Sequence, residues 1–565
     1  MKRSVTVLVA AVVLSGCAHH LQPPASAKIR SQRCWLPVVK LTANEYDNPD
    51  EGASHQLAYV PDRGATLADV LSTTEPSKGI GQPKTVLVLS GGSLHGAFGA
   101  GLLYGWMNSP VANDEKVPSY DMITGVSTGA LQSTFALLNT SPDPYVRAGA
   151  QRDLERLSKV KYLSHRLDGP TNGITAPGSS YLANLAQLYM PDRESDLMNL
   201  RPLQKMSPNK LGMLSLVGSE SLATMVPLRN VIAAQLGDET FKGVAAEAKR
   251  GRKLFVAIGD LTNLYGYAAD LTRLIELAND PANQRYEDVK RLFPGYTRGS
   301  SEKLFAQARQ CYIDALVASS SVSPGVPPVA IGIMREDENG HIYNPDYDPN
   351  NPHPPVPSNR VAGEHIFVDG GAAFAVFFSQ LRDVVGGFQN VDMDLIVNGS
   401  YFPKEWEKQL DKKGKTLPLA KVKVAPHEIA LRSIEGLETQ VRLQSVQEAR
   451  RWVRDRGRFR WAFIDNRRIA PQTTGVDRLS PWNGRFAGTP LSWVHAEADR
   501  TKDCAGWKAY DQKKLNPMEF YPTYMRCIVS YGVARGMTPA NRWNLCSARD
   551  PKKCEGSLPV SGTAD

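Results

Sequence analysis

Two neighbouring stretches decide the fold of this chain: KTVLVLSGGSLHG at residues 84–96 and DMITGVSTG at residues 121–129. Each begins with a short apolar run typical of a buried strand and ends in a glycine turn that opens a helix. Because parallel strands bring their carboxyl ends to one edge of a sheet, both turns are expected at the edge where α/β proteins usually place their sites.

The second turn, Gly125-Val126-Ser127-Thr128-Gly129, supplies a candidate nucleophile. Its two glycines leave room for a sharp turn that presents the Ser127 hydroxyl at the positive end of the following helix. The pattern alone is weak evidence, because a chain with 46 Gly in 565 residues contains it by chance in about one case in four. Its place after a strand, beside a second glycine turn, carries more weight.

The first turn is a candidate oxyanion hole, because Gly91, Gly92 and Ser93 can direct backbone N–H groups at a developing negative charge. A dinucleotide-binding turn is excluded, since the middle glycine of Gly-x-Gly-x-x-Gly is replaced by Ser93. A phosphate-binding loop of the Walker type is also excluded, because no Gly-Lys-Ser/Thr follows.

The N-terminus is typical of an exported lipoprotein. Residues 1–16 have a short basic start and an apolar run, and they end in a lipobox, Leu14-Ser15-Gly16-Cys17, which predicts a diacylated Cys17. Ala18 follows where an acidic residue would retain the protein at the inner membrane, so we expect a lipid anchor in the outer membrane, facing the periplasm or the cell surface. An ordinary signal peptide with a coincidental cysteine is the alternative.

Six further cysteines form an even number, which favours disulfides in an exported chain, with 15 possible connectivities. Four of them are expected to staple one small C-terminal region, and Cys311, within a helical pattern, is expected to be a buried thiol. The six are Cys34, Cys311, Cys504, Cys527, Cys546 and Cys554.

Neither a metal nor a cofactor is predicted. The chain has no Cys-x-x-Cys pair for zinc. The calcium-like run at residues 346–350 has Asn351 where a glycine is needed and Pro357 at the glutamate position.

The chain divides into three parts after the signal peptide: a tether and irregular segment at 17–82, a main α/β domain with large insertions at 83–400, and a C-terminal extension of mixed structure at 401–565. Strands are predicted at 254–258, 366–368 and 393–397, and helices at 301–318 and 427–455. Residues 442–468 hold nine of the arginines of a chain with net charge +9. A solvated helix face or a lipid-facing surface is favoured there over a nucleic-acid site. Nothing in the sequence indicates an oligomeric state.

Four motifs in order resemble the patatin-like phospholipase family over residues 84–400. They are the glycine turn, the Gly-x-Ser-x-Gly turn, the ASSSVSPGVPP segment at 318–328 and the Asp-Gly-Gly at 369–371. The resemblance implies a three-layer α/β/α sandwich and an acyl ester hydrolase that acts on lipids, of the phospholipase A, lysophospholipase or lipase type. It further implies that Ser127 is the nucleophile, that Asp369 is its base, and that Gly91, Gly92 and Ser93 form the oxyanion turn.

The pairing of Ser127 with Asp369, which we call the dyad, is also expected on chemical grounds alone. A serine hydroxyl is a weak nucleophile at neutral pH and needs an adjacent base. Asp369 follows a predicted strand and precedes two glycines, so it can present its carboxylate at the sheet edge. The alternative is that the aspartate of this Asp-Gly-Gly is only a turn residue or a helix N-cap.

Two features depart from the family pattern. The usual Gly-Gly-Gly-x-Arg/Lys-Gly turn has Ser93 in place of its third glycine and His95 in place of its cation, so anion stabilisation could weaken or depend on pH. The dyad residues are also separated by 242 positions (369 − 127), which requires large insertions between them.

Two other functions remain open at this stage. One is an α/β-hydrolase with a triad of Ser127, Asp369 and either His427 or His495. The other is a lipid-binding lipoprotein that keeps this fold with little activity.

Overall fold

A computed structural model describes a little over half of the chain. The predicted signal peptide, Cys17, His495 and the calcium-like run lie outside the described residues. Those are 30–41, 84–109, 111, 114–153, 181–200, 223–279, 286–293, 296–298, 300–322, 325–336, 342–343, 364–378, 391–399, 426–453, 457–464, 504–546 and 554–555.

The centre of the fold is a 10-stranded mixed sheet. The described strands are β1 (Arg30–Lys40), β2 (Lys84–Leu89), β3 (Met122–Val126), β4 (Asn199–Leu200), β5 (Ala223–Thr224), β6 (Lys253–Asp260), β7 (Gly266–Asp270), β8 (Val329–Glu336), β9 (Ile342–Tyr343), β10 (Glu364–Asp369), β11 (Val391–Val397), β12 (Phe459–Phe463), β13 (Leu545–Cys546) and β14 (Cys554–Glu555). The main path of the large sheet runs β10-β8-β1-β7-β6-β3-β2-β11-β12, with β9 beside β8. Two small two-stranded sheets, β4 with β5 and β13 with β14, lie apart from it.

Helices cover both faces of this sheet. They are α1 (Gly96–Met107), α2 (Thr128–Asn139), α3 (Pro144–Arg147), α4 (Gly149–Arg152), α5 (Tyr181–Leu188), α6 (Val226–Gln235), α7 (Asp238–Lys249), α8 (Leu271–Asn279), α9 (Tyr286–Leu292), α10 (Ser301–Ser319), α11 (Pro426–Val453), α12 (Cys504–Lys514), α13 (Pro522–Met537) and α14 (Pro539–Arg542), with three 3-10 turns, η1 (Ser93–His95), η2 (Glu194–Asp196) and η3 (Gly370–Ala372). The predicted strands and the two predicted helices named above are confirmed, each within a few residues of its predicted ends.

Alternation along the parallel strands creates the two cores of a three-layer fold. Leu87 and Leu89 face one core, together with side chains from α1, α2, α10 and α13. Val86 and Val88 face the other, which also contains Val446 of α11. Side chains alternate between the faces of a strand, so continuous apolar strands such as these must be buried on both sides. The predicted α/β/α sandwich is therefore confirmed, with a mixed sheet.

The N-terminal segment is more ordered than its composition suggests. Residues 17–82 were expected to be irregular, but Arg30–Lys40 is a strand that pairs with β7 on one side and β8 on the other. Pro37 argues against a central strand because proline lacks the N–H that a ladder uses. Burial of the apolar residues around it outweighs this, since Leu36 and Val38 lie in the main core.

The C-terminal extension is built into the central sheet and its helical layer. Its strand β12 continues the sheet in parallel with β11, and its helix α13 packs against α1. Four glycines form that helix contact, because a β-carbon on any of them would collide with the backbone of the other helix. They are Gly101, Gly105, Gly532 and Gly536.

Two disulfides involve described side chains. Cys504 and Cys527 join α12 to α13, in agreement with a stapled C-terminal region. The expectation of a free thiol at Cys311 is wrong, because Cys311 is disulfide-bonded, to a cysteine whose side chain is not described. Burial in a helix had suggested an inert thiol, but burial does not prevent pairing when a second cysteine packs against the helix.

Part of the arginine-rich stretch has a structural role. Arg460 on β12 donates to both carboxylate oxygens of Asp394, at 2.6 and 2.7 Å, and also pairs with Glu115. Its guanidinium lies over the rings of Trp106 and Trp543. This arginine therefore ties the extension to the sheet and is not available to a ligand.

Within the described part of the chain, no helix is long and apolar enough to cross a bilayer. The same residues contain no cluster of three or more potential metal-ligating side chains.

Candidate active site

Ser127 lies at a strained strand-to-helix turn, which we call the elbow (residues 125–129). It follows β3 directly, precedes α2, and has φ 54° and ψ −123°, a conformation that residues other than glycine rarely adopt. The two elbow glycines are sites of close approach. A β-carbon on Gly125 would lie 2.6 Å from the carbonyl oxygen of Gly129, and one on Gly129 would lie 2.7 Å from that of Ser90. Gly125 is therefore needed for the chain to turn back against the start of α2, and Gly129 for that helix to pack against the end of β2.

Asp369 reaches Ser127 because two strands meet end to end along β6. The last residue of β3, Val126, pairs with Ala257 of β6 in a parallel ladder. The last residue of β10, Asp369, pairs with the next residue of β6, Ile258, in an antiparallel ladder. The two strands thus arrive from opposite directions, and their carboxyl ends place Ser127 and Asp369 side by side.

The carboxyl group of Asp369 is in an environment that suits a base at neutral pH. Both dyad residues are buried, with exposed fractions of 7% for Ser127 and 5% for Asp369. Burial raises the pKa of Asp369 to about 7, against smaller lowering effects of the Ser127 hydroxyl and the N–H of Gly371. The nearby charge of Glu438 raises the pKa further. A carboxyl with this pKa is partly ionised at pH 7 and can both take and return a proton.

The two carboxylate oxygens of Asp369 differ in their hydrogen bonding. Oδ1 accepts from the N–H of Gly371 at 2.6 Å. Oδ2 is buried and, among the described residues, accepts no hydrogen bond of good geometry. The Ser127 hydroxyl is close enough to lower the pKa of this carboxyl, and contacts of this kind commonly tighten when substrate binds.

The serines at the end of α10 hold both halves of the dyad. Ser319 Oγ accepts from the N–H of Ser127 at 3.0 Å and donates to the carbonyl of Ala257 at 2.6 Å. The carbonyl of Ser321 accepts from the N–H of Asp369 at 2.9 Å. The sequence marked this segment only as part of a family pattern, whereas the structure gives Ser319 and Ser321 a positioning role.

The oxyanion turn (residues 91–96) follows β2 and contains a second strained residue. Ser93 has φ 49°, a left-handed conformation that explains why the family usually has glycine there. Gly92 lies against the backbone of Asn398, whose carbonyl carbon would be 2.7 Å from a β-carbon at that position. Any side chain at residue 92 would therefore displace the turn.

Two of the three predicted oxyanion donors are unoccupied. In the described part of the chain, the N–H groups of Gly92 and Ser93 have no hydrogen-bond acceptor. The N–H of Gly91 donates to the carbonyl of Ala375 at 3.1 Å. In this conformation Gly91 supports the turn, and Gly92 and Ser93 are the available donors.

A buried polar network that the sequence did not suggest holds the two ends of the oxyanion turn, at Ser90 and Gly96. Asn398 donates from Nδ2 to the carbonyl of Ser90 at 2.7 Å, and its own N–H donates to Ser90 Oγ at 2.7 Å. Gln132 of α2 exchanges amide hydrogen bonds with Asn398 and donates to the carbonyl of Gly96 at 2.7 Å. Asn398 follows a predicted strand and precedes a glycine, as Asp369 does, which was the one available signal.

The histidines near the site are engaged in other contacts. His95 Nδ1 lies 3.2 Å from the carbonyl of Gly92, and its ring meets Tyr524 edge-on. His365, on β10, bonds through Nδ1 to buried Asp260. The side chain of His427 is not described and His495 lies outside the described residues, so a triad through either is a prediction that stays open.

A serine at a strand-to-helix elbow, beside a buried carboxyl with a raised pKa on a three-layer α/β/α fold, is an arrangement typical of serine hydrolases. A model of the patatin-like phospholipase family matches residues 87–381, more than half of the chain, and the chain belongs to that family of lipid acyl hydrolases. The match includes Ser127, Asp369 and the oxyanion turn, and it ends before the C-terminal extension. No curated protein matches the chain significantly.

Proposed function

We propose that this protein hydrolyses acyl esters of lipids through a dyad of Ser127 and Asp369, with the oxyanion turn as its anion site. The observation that carries the proposal is the meeting of β3 and β10 on consecutive residues of β6, which brings together two residues 242 positions apart. The raised pKa of Asp369 supports its role as the base.

The reaction follows from these positions. The Ser127 oxygen attacks the ester carbonyl as its proton passes to Asp369, and the N–H groups of Gly92 and Ser93 stabilise the negative oxygen. The tetrahedral intermediate releases the alcohol, which takes the proton from Asp369, and leaves an acyl-serine. Water then attacks the acyl group, gives its proton to Asp369, and the fatty acid departs as the proton returns to Ser127.

A fluorophosphonate probe tests the nucleophile. We expect the probe to label the wild type and to leave Ser127→Ala unlabelled. Ser301→Ala is the matched control, since Ser301 is exposed at the opposite end of α10 from Ser319. Labelling that persists in Ser127→Ala would refute the assignment.

Product analysis defines the substrate class. Mass spectrometry of mixed membrane phospholipids, lysophospholipids and triacylglycerols, incubated with wild type or Ser127→Ala, should show free fatty acid only with the wild type. The lipid that is consumed distinguishes phospholipase A, lysophospholipase and lipase action. Binding of lipid without turnover by either protein would favour the binding-module alternative.

We further propose that Cys17 is acylated and anchors the enzyme in the outer membrane. The support is the lipobox at residues 14–17 and the residue that follows it. Cys17→Ala should lose incorporation of a labelled fatty acid and leave the membrane fraction. Ala18→Asp should keep the acyl label but move the protein to the inner membrane, which separates anchoring from sorting.

A further inference from the structure

The oxyanion turn is held in its strained conformation by a residue from the far end of the chain. Ser93 has φ 49°, where a serine costs more than a glycine. Its hydroxyl donates a hydrogen bond to Oε1 of Glu519, which lies 426 residues further along. The serine that replaces the usual glycine thus gains a partner that a glycine could not have.

Glu519 is itself held by backbone contacts. The carboxylate of Glu194, in η2, accepts from three consecutive N–H groups, those of Met518, Glu519 and Phe520, at 3.0, 2.6 and 2.9 Å. Three donors on one carboxylate define the position of this short segment closely. The Glu519 side chain is therefore presented to Ser93 from a fixed backbone.

The segment is also anchored on both sides. Immediately after it, α13 begins at Pro522 and packs its glycines on α1, the helix that the oxyanion turn opens. Arg526 of α13 donates to the carbonyl of Pro191 at 2.9 Å and pairs with Asp192. The Cys504–Cys527 disulfide joins α13 to α12. A path of direct contacts thus runs from the C-terminal extension to the N–H groups of the candidate oxyanion hole.

We propose that Glu519 is a positioning residue for the reaction: by accepting from Ser93 Oγ, it fixes the backbone of residues 92 and 93 so that both N–H groups face the substrate carbonyl. This inference rests on the proposed function. Only a hydrogen-bond acceptor is required, and a negative charge so close to a developing oxyanion is unfavourable in itself. Glutamine at position 519 should therefore keep the oxyanion turn in place and preserve activity, whereas alanine should not.

The test is a set of variants of the full chain assayed on p-nitrophenyl butyrate. We expect Glu519→Ala to lower kcat by on the order of tenfold with little change in KM, because the misplaced donors act on the transition state more than on the bound ester. Glu519→Gln should keep most of the wild-type kcat. Glu302→Ala, at the exposed start of α10, is the matched control.

A double-mutant cycle shows whether the effect passes through Ser93. Ser93→Ala should lower kcat about as much as Glu519→Ala, and combining the two should lower it no further. In a Ser93→Gly background, Glu519→Ala should have little effect, because glycine adopts the turn without help. An equal loss in both backgrounds, or an unchanged kcat in Glu519→Ala, would overturn the proposal.

Failure of folding and failure of the proposed function are distinguished in the same experiment. Thermal unfolding identifies a misfolded variant, and if Glu519→Ala misfolds, then Ser93→Ala against Ser93→Gly decides the question, with the larger loss expected for alanine. Fluorophosphonate labelling of wild type against Ser127→Ala tests the nucleophile independently. If wild type is labelled and turns over ester but Glu519→Ala is equally active, only the positioning role fails.

Discussion

The elbow and the oxyanion turn lie at the ends of adjacent parallel strands, β3 and β2, and each contains a serine with positive φ. They differ in what holds that strain. The elbow is supported from within the family-matched region, by Ser319 and by the close packing of Gly129 against the end of β2. The oxyanion turn is supported partly from within that region, by Gln132 and the carbonyl of Ala375, and partly by Asn398 and Glu519, which lie beyond it.

This difference gives the C-terminal extension a place in the site. The elbow depends on its own glycines and on the end of one helix, so it can be recognised from a short motif. The oxyanion turn has serine in place of glycine at residue 93 and needs an added contact, and that contact comes from Glu519, which lies outside the family-matched region. Departures from a motif can thus point to the segment that compensates for them.

The largest loss of stability is expected from adding a single methyl group to the elbow. Gly129→Ala should prevent folding or lower the free energy of unfolding by about 4 kcal/mol or more, because the methyl group would collide with the backbone at the end of β2. Gly436→Ala is the control, since nothing lies within 4 Å of a β-carbon there. It should be neutral or stabilise α11 by up to about 1 kcal/mol. Soluble yield and thermal unfolding measure both, and a well-folded Gly129→Ala contradicts the close packing.

Asp369→Asn tests the chemistry at the elbow separately from its fold. It should lower kcat by about a thousandfold, since the serine loses its base. In the wild type, kcat/KM should rise about tenfold per pH unit below pH 7 and level off above it, because the pKa of Asp369 is about 7. A flat profile between pH 5 and pH 8 would remove Asp369 as the base.

Asp369→Asn should also be more stable than the wild type at high pH. Folding raises the pKa of Asp369 from 3.8 to about 7, so this group's contribution to stability is greatest at low pH and is lost as pH rises through 7. Asn cannot ionise, so its advantage in unfolding free energy should grow between pH 5 and pH 8, to at most about 4 kcal/mol. Urea unfolding of both proteins at the two pH values measures this, and an advantage that stays constant between them would contradict the raised pKa.

On the side of the oxyanion turn, the disulfide gives the next largest effect. Replacing both Cys504 and Cys527 by alanine should lower the free energy of unfolding by about 3 kcal/mol, because the bond closes a loop with a sequence separation of 23. Calorimetry under non-reducing conditions measures the change. An unaltered unfolding temperature would mean that α12 and α13 are held together by packing alone.

The smallest expected effects distinguish two adjacent serines, Ser319 and Ser320, at the end of α10. Ser319→Ala should cost about 2 kcal/mol and reduce probe labelling, because the buried N–H of Ser127 loses its acceptor. Ser320→Ala should cost under about 1 kcal/mol, since Ser320 Oγ bonds to a carbonyl of its own helix, Leu316. Equal effects of the two changes would show that Ser319 is no more than a helix residue.

Much of the fold could be predicted from local sequence. Continuous apolar runs identified β2, β6 and β11, and the glycine turns located both strand-to-helix connections, because these signals depend on neighbouring residues. β1 was missed because Pro37 disfavours a central strand locally, and only pairing with β7 and β8 compensates. The pairing of Cys311 was missed because the proximity of two cysteines is a property of packing.

By itself, the sequence determined which reactive groups this protein contains. They are a serine at an elbow, an aspartate after a strand, and a glycine-rich turn whose backbone N–H groups can act as hydrogen-bond donors. The tertiary structure alone decided that β3 and β10 meet on β6, that burial raises the pKa of Asp369, and that Glu519 reaches Ser93. Motifs are local because they reflect backbone conformation and side-chain type. Strand register, burial and contacts between distant segments depend on how the whole chain packs, and no short stretch of sequence contains that information.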